Sequence, residues 1–188
     1  DKDGNPAERQ SYDEGGWYEQ QISAQGVLSW KWHIIDPMVS LSQIQVIDVN
    51  GDGKDDLISG MGHGRGLFWW EQMGNDQWKA HLIDDTYTQP HATEMADIDG
   101  DGVGDIITGK TPLAHMGLKD PDEYGTPYLY WYKIVKSENG EPRFERHLVD
   151  DNVGVGRQVS VVDINNDGLL DIASGTRHGV HIFLQERE

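Results

Sequence analysis

The sequence predicts an all-β fold of repeated four-stranded antiparallel sheets, stacked or set radially. Three observations carry this. An acidic nine-residue stretch occurs three times, each copy lies between short β-branched runs, and each unit adds a His-containing strand and an aromatic strand. Runs of that length and composition read as strands, and self-similarity at 40–50 residues reads as a sheet repeat.

The acidic stretches are residues 48–56, 97–105 and 163–171. Their positions 1, 3, 5 and 9 hold Asp48, Asn50, Asp52 and Asp56, then Asp97, Asp99, Asp101 and Asp105, then Asp163, Asn165, Asp167 and Asp171, with Gly at position 6 each time. Alternate inward oxygens around a glycine turn are how a short loop wraps a hard cation, and the ligand type suits calcium. All twelve are candidate metal ligands. An EF-hand opens in the same way but needs a Glu at position 12 and helical flanks. Here position 12 is Ser59, Thr108 or Ser174, and the flanks are runs such as Ile44-Gln45-Val46-Ile47 and Ile106-Ile107-Thr108. The helical alternative fails, so each acidic loop joins two strands.

Taken in order, residues 1–29 read as a partial repeat and linker. Asp1-Lys2-Asp3-Gly4 matches positions 3 to 6 of the loop, Ala7 stands where its last Asp belongs, and Gly16-Trp17-Tyr18-Glu19 matches a closing aromatic strand. Repeat 1 covers 30–72, repeat 2 covers 73–133 with an insertion at 111–127, and repeat 3 covers 134–188. Each opens on a His strand (His33, His81, His147), passes through the acidic loop, and ends on an aromatic strand such as Leu67-Phe68-Trp69-Trp70-Glu71 or Leu129-Tyr130-Trp131-Tyr132-Lys133. Pro112, Gly117, Pro121, Gly125 and Pro127 punctuate the insertion as turns.

Composition narrows the function. Acidic residues outnumber basic ones 33 to 15, for a net charge of −18. Such a surface is a poor partner for nucleic acid, whose phosphates need clustered Lys and Arg. Cysteine is absent, so disulfides say nothing about compartment. No run of 18 apolar residues is present to form a membrane span. A first residue of Asp and no visible signal peptide suggest a mature or excised segment. Calcium loops make most sense where free calcium is high, so the expected location is secreted, periplasmic or extracellular.

The thrice-repeated Asp-x-Asp/Asn-x-Asp-Gly-x-x-Asp within four-strand units resembles the FG-GAP and VCBS repeats of β-propellers, over nearly the whole chain from Trp30 onward. The resemblance implies that the strand entering each acidic loop lines a central channel and that the His strand lies outermost. Propellers have four to eight blades, so about three complete blades plus a partial N-terminal one imply an incomplete or assembled propeller. Self-association, or further blades of a larger chain, would complete it. The His-containing insertion and the Leu-Phe-Trp-Trp-Glu strand are also similar to the propeller part of fungal aldos-2-ulose dehydratase and related bacterial VCBS proteins. That similarity implies metal-aided loss of water from keto-sugars, but no catalytic residue carries over from it.

With that strand order, chain reversal puts the acidic loops on one face and the remaining turns on the other. His63, His91, His115 and His178 gather on the second face, as do Lys110, Arg157 and Arg177. His33, His81 and His147 recur with the repeat and are expected to be structural, as is His181 on its aromatic strand. The four clustered His residues are the catalytic candidates, as acid–base groups or as ligands for zinc or another divalent transition metal. Lys110, Arg157 and Arg177 are the substrate-binding candidates, suited to a carboxylate or sugar hydroxyls. The expected function is therefore a calcium-stabilised secreted propeller whose His-rich face acts on carbohydrate, as a metal-assisted sugar lyase or dehydratase. The alternative is a non-catalytic propeller module that binds a protein or glycan.

Overall fold

A computed structural model describes residues 15–35, 41–114, 120–136 and 141–187. Among them there are thirteen strands and no helix, hence no helix long and apolar enough to cross a membrane. The first sheet pairs β1 (Gly15–Ile22) with β2 (Leu28–Ile35). The second runs β3 (Leu41–Ile47), β4 (Asp56–Met61), β5 (Arg65–Gly74), β6 (Gln77–Thr88) in spatial order. The third repeats this with β7 (Thr93–Ala96), β8 (Asp105–Gly109), β9 (Leu129–Val135) and β10 (Arg143–Asp150). The fourth holds β11 (Val159–Val162), β12 (Asp171–Thr176) and β13 (Gly179–Phe183). Every pairing is antiparallel.

Sheets and sequence repeats are out of phase by one strand. Each His strand pairs with the aromatic strand that precedes it, so Trp17 faces His33, Trp69 faces His81 and Trp131 faces His147 across the ladder. Among the described residues, two sheets thus have four strands, one has three and one has two. The His strands occupy outer edges, while β7 lies against β3 on one side and β11 on the other. Inner strands side by side, each followed outward by its own meander, make a radial array of blades rather than a closed barrel.

Packing between neighbouring blades supplies the core. Ile58, Leu67, Trp69 and Tyr87 of the second sheet meet Ile106, Tyr130, Tyr132 and Ile134 of the third. Ala92, Ile107 and Leu129 meet Val155, Val159 and Ile172 in the same way. Asp84 ties the second sheet to the third, accepting 2.8 Å hydrogen bonds from the Tyr132 hydroxyl and the Arg146 guanidinium. At the N-terminal end Ile35 packs with Trp70, leaving the other face of β2 to solvent. Period-two alternation explains this, because His33 and Ile35 point inward while Trp30, Trp32 and Ile34 point out.

The loop match at Asp1-Lys2-Asp3-Gly4 and Ala7 lies outside the described residues, as does His115.

Candidate functional site

The three acidic loops join β3 to β4, β7 to β8 and β11 to β12, and therefore share one face. Their backbones repeat closely. Position 4 is left-handed in all three (Gly51 φ 79°, Gly100 φ 77°, Asn166 φ 62°), and so is the position-6 glycine (φ 84° to 87°). Asn is the side chain that tolerates this region best after Gly. Position 1 closes the loop, with Asp48, Asp97 and Asp163 each accepting the amide of the position-6 glycine at 2.9 Å.

Position 9 does something else. Asp56, Asp105 and Asp171 are fully buried at the start of the outgoing strand. Each reaches back to the position-2 amide of its own loop, Val49, Ile98 or Ile164, at 2.9 to 3.1 Å. The second oxygen of Asp56 accepts the Gln72 amide at 2.8 Å, and that of Asp171 accepts the Gln185 amide at 2.9 Å. The second oxygen of Asp105 is buried and only loosely met by the Ile134 amide of β9, outside ordinary hydrogen-bond geometry. Burial, with the nearby Asp99 and Asp101 charges adding to it, pushes the Asp105 carboxyl up to about 6. Asp97, Asp99 and Asp105 each present an oxygen within 4.8 Å of the others, a spacing able to hold a cation.

A strand residue sets the charge beside each loop. After the Trp of the aromatic strand comes Trp70-Glu71 in β5 but Tyr132-Lys133 in β9. Glu71 accepts hydrogen bonds from Asn50 and pairs with His81. Lys133 instead pairs with Asp99 and Asp101, which lowers the Asp101 carboxyl. In the first loop Asp52 has a similar partner in Lys54, two residues away.

The opposite face carries a cavity of about 530 Å³ where the inner strands begin. Ser42 and Gln43 open β3, His63 sits on the β4–β5 hairpin, His91 precedes β7, and Arg157 and Gln158 precede β11. Three successive blades thus contribute to one polar space. The His63 and His91 rings lie edge to face, with centroids 5.5 Å apart. Nδ1 of His91 is 3.0 Å from the Ser42 hydroxyl, and Nδ1 of His63 is 3.5 Å from Asp120, a mostly buried carboxylate of the insertion.

The remaining face residues separate from that pair. His178 is exposed on the β12–β13 hairpin and does not line the cavity; its amide bonds the Thr176 hydroxyl. Arg177 lines a second cavity of about 290 Å³, which Arg157 also borders. Lys110 is not a ligand-facing group as the sequence suggests. It is 1% exposed, and its ammonium donates at 2.5 Å to the Thr88 hydroxyl and the Asp122 carbonyl. Its own carbonyl accepts the Val155 amide, so it binds three connections of this face into one block. Burial pulls its pKa down. Gln89 joins the same block in a left-handed conformation (φ 58°), bonding Gly64 through its amide and Thr111 through its carbonyl.

The recurring His residues have a structural place. His33, His81 and His147 stack on Trp17, Trp69 and Trp131, with centroids 4.1 to 4.3 Å apart and planes within 14°. The position-12 hydroxyls are structural too. Ser59, Thr108 and Ser174 are buried and donate to the carbonyls of Gln43, Ala92 and Gly154, tying each second strand to the backbone just before or within its inner neighbour. Sequence reasoning missed Asp120, Asp122 and the buried role of Lys110. The insertion has no repeat counterpart, so no periodic signal marks its carboxylates. The Glu71/Lys133 exchange was visible as a break between otherwise matching strands.

Residues 48–108 match the family model of an FG-GAP-like repeat, a span holding the first two acidic loops with β4 to β7 between them. No curated protein matches the chain in sequence.

Proposed function

We propose, from the premise that the chain carries FG-GAP-like repeats, that it is a calcium-stabilised, extracytoplasmic propeller module whose channel-mouth cavity handles carbohydrate. The cavity carries this reading. It draws Ser42, Gln43, His63, His91, Arg157 and Gln158 from three blades into one open space of about 530 Å³, within the usual range for small-molecule sites. Each of its lining residues carries a hydrogen-bonding side chain and polar surface exceeds apolar, which suits a sugar better than an apolar ligand.

Calcium belongs on the other face. Asp48, Asp97 and Asp163, with their partners at positions 3, 5 and 9, crowd carboxylates that repel one another, and a divalent ion would relieve this. At the second loop the ion must compete with Lys133 for Asp99 and Asp101.

The cavity also has the parts of a sugar lyase or dehydratase. His63, oriented by Asp120, would take the proton from the carbon next to a carbonyl. The freed electron pair forms the double bond, and the departing hydroxyl leaves as water with a proton from the His91 imidazolium. Asp120→Asn should cut turnover more than binding, whereas a pure binding module would show saccharide affinity without an unsaturated product. Metal analysis after dialysis separates the metal readings: bound calcium alone leaves the cavity metal-free, and an additional zinc-like ion lost in His91→Ala places one there. Saccharide arrays that bind nothing would end the carbohydrate reading.

The exposed Trp30, Trp32 and Ile34 on β2, and Val180 and Ile182 on β13, are the surfaces against which further blades, from a second copy or a longer chain, would pack. Sedimentation of Trp32→Lys against the parent measures this, with dissociation expected.

A further inference from the structure

The chain is strongly acidic, yet its two cavities on the face away from the acidic loops have no Asp or Glu among their lining residues, the carboxylate of Asp120 standing 3.5 Å from His63 in the larger. The larger presents Arg157, His63 and His91, and the smaller presents Arg157 and Arg177. Arg157 borders both. It is exposed, and among the described residues it has no ion-pair or hydrogen-bond partner, whereas Arg146 is paired with Asp84, Arg143 with Glu145, and Arg65 with the Asp85 carbonyl. An unpaired guanidinium in a chain with so many carboxylates is a cation kept apart from them.

Backbone packing holds it there. A Cβ on Gly156 would come 1.6 Å from the Gly175 carbonyl oxygen, so only glycine lets the β10–β11 connection before Arg157 lie against the end of β12. The Gly156 carbonyl also accepts the Thr111 hydroxyl at 3.2 Å. Arg157 therefore projects from a braced position at the wall between the cavities.

We propose that the two cavities are neighbouring subsites for an acidic saccharide, with Arg157 taking a carboxylate at their junction and Arg177 serving the next residue. This rests on the carbohydrate reading above and specifies its substrate class: a uronate-type oligosaccharide rather than a neutral one. The planar guanidinium fork matches a carboxylate in two parallel hydrogen bonds. Ser42, Gln43 and Gln158 in one cavity, and Thr111 and Thr176 in the other, remain for hydroxyl groups. The acidic loops lie on the opposite face, where their repulsion of an anion bound here is most screened.

The test is calorimetry on the calcium-loaded protein, freed of excess calcium because uronates bind that ion themselves. Four probes are compared: a uronate trisaccharide, its neutral analogue, a single uronate, and a sulfated neutral trisaccharide. The uronate trisaccharide should bind at least about tenfold more tightly than the neutral one, the worth of one charge-assisted contact. Arg157→Gln should erase that preference, Arg157→Lys should keep part of it, and Arg177→Gln should narrow the advantage of trisaccharide over monosaccharide. Unchanged melting temperatures confirm that the variants fold. Equal affinity for neutral and acidic trisaccharides, a preference that survives Arg157→Gln, or tighter binding of the sulfated probe would each overturn the acidic-site proposal while leaving the carbohydrate reading intact. If no saccharide binds, both readings fall together.

Discussion

The first two acidic loops share a backbone but not an electrostatic setting. In the second sheet, Asn50 at position 3 donates to Glu71 of β5, which also holds His81. In the third, Asp99 at position 3 pairs with Lys133 at the matching point of β9. The two exchanges compensate: a neutral loop residue meets an acidic strand residue, and an acidic loop residue meets a basic one. The fourth sheet has Leu184 at this point, and its loop has Asn165. Loop geometry therefore comes from nine contiguous residues, whereas charge balance comes from a strand that only the fold brings alongside.

The largest expected effect sharpens this contrast at position 9. Asp56 satisfies two backbone amides, one in its own loop and one in β5, whereas Asp105 holds its loop amide and meets the Ile134 amide of β9 only loosely. Asp56→Ala should cost about 3–5 kcal/mol in chelator, since each abandoned buried donor costs about 1–3 kcal/mol and a cavity adds to it. Asp105→Ala should cost clearly less. Urea unfolding of both variants decides it, and a larger loss for Asp105→Ala would break the comparison.

Next comes the strand residue. Lys133→Glu gives β9 the charge of β5 but leaves Asp99 acidic, so carboxylates accumulate with no internal cation. Its melting temperature in chelator should fall below that of the parent, and the rise on adding calcium should be larger. A calcium response equal to the parent's would show that Lys133 does not influence that loop. The double variant Lys133→Glu with Asp99→Asn reproduces the Asn50/Glu71 pairing and should recover most of the loss.

Asp84 connects the two compared sheets, and its effect depends on pH. Burial raises its pKa, but hydrogen bonds from Thr86, Tyr132 and Arg146 outweigh this and hold the carboxyl below 3.8. A depressed carboxylate contributes stability that is fully present above the unfolded value and is lost as pH falls through the folded one. The stability gap between the parent and Asp84→Asn should therefore be constant near neutrality and narrow below about pH 4. A gap that widens with acid would reverse the sign assigned to this contact.

The smallest effect concerns the stacked His residues. His81 lies on Trp69 and also pairs with Glu71 at 2.8 Å, while His147 lies on Trp131 with no carboxylate partner among the described residues. His81→Ala should cost about 1 kcal/mol more than His147→Ala, the size of one extra part-buried polar contact. Equal losses would mean that stacking alone sets the value.

Much of this was legible in order along the chain. The acidic loops, the strands around them and the recurring His–Trp pairing all rest on local spacing, and local spacing is what a sequence displays. The convergence of His63 and His91 followed from chain reversal alone, because the turns opposite the acidic loops must share a face. What stayed hidden was nonlocal. Lys110 reads as an exposed cation in a loop, and nothing near it in sequence announces Thr88, Asp122 and Val155 closing around it. His178 shares the face but not the cavity, a matter of radial position that strand order does not specify.

Strand identity, loop conformation and the repeat were thus determined by the sequence itself, because each depends on residues within about ten positions of one another. Tertiary structure decided which His strand closes which sheet, which charges sit beside which loop, and that Arg157 borders two cavities with no ion-pair partner among the described residues. Those outcomes depend on packing one blade against the next, where residues tens of positions apart meet and burial selects among partners that the sequence leaves equal.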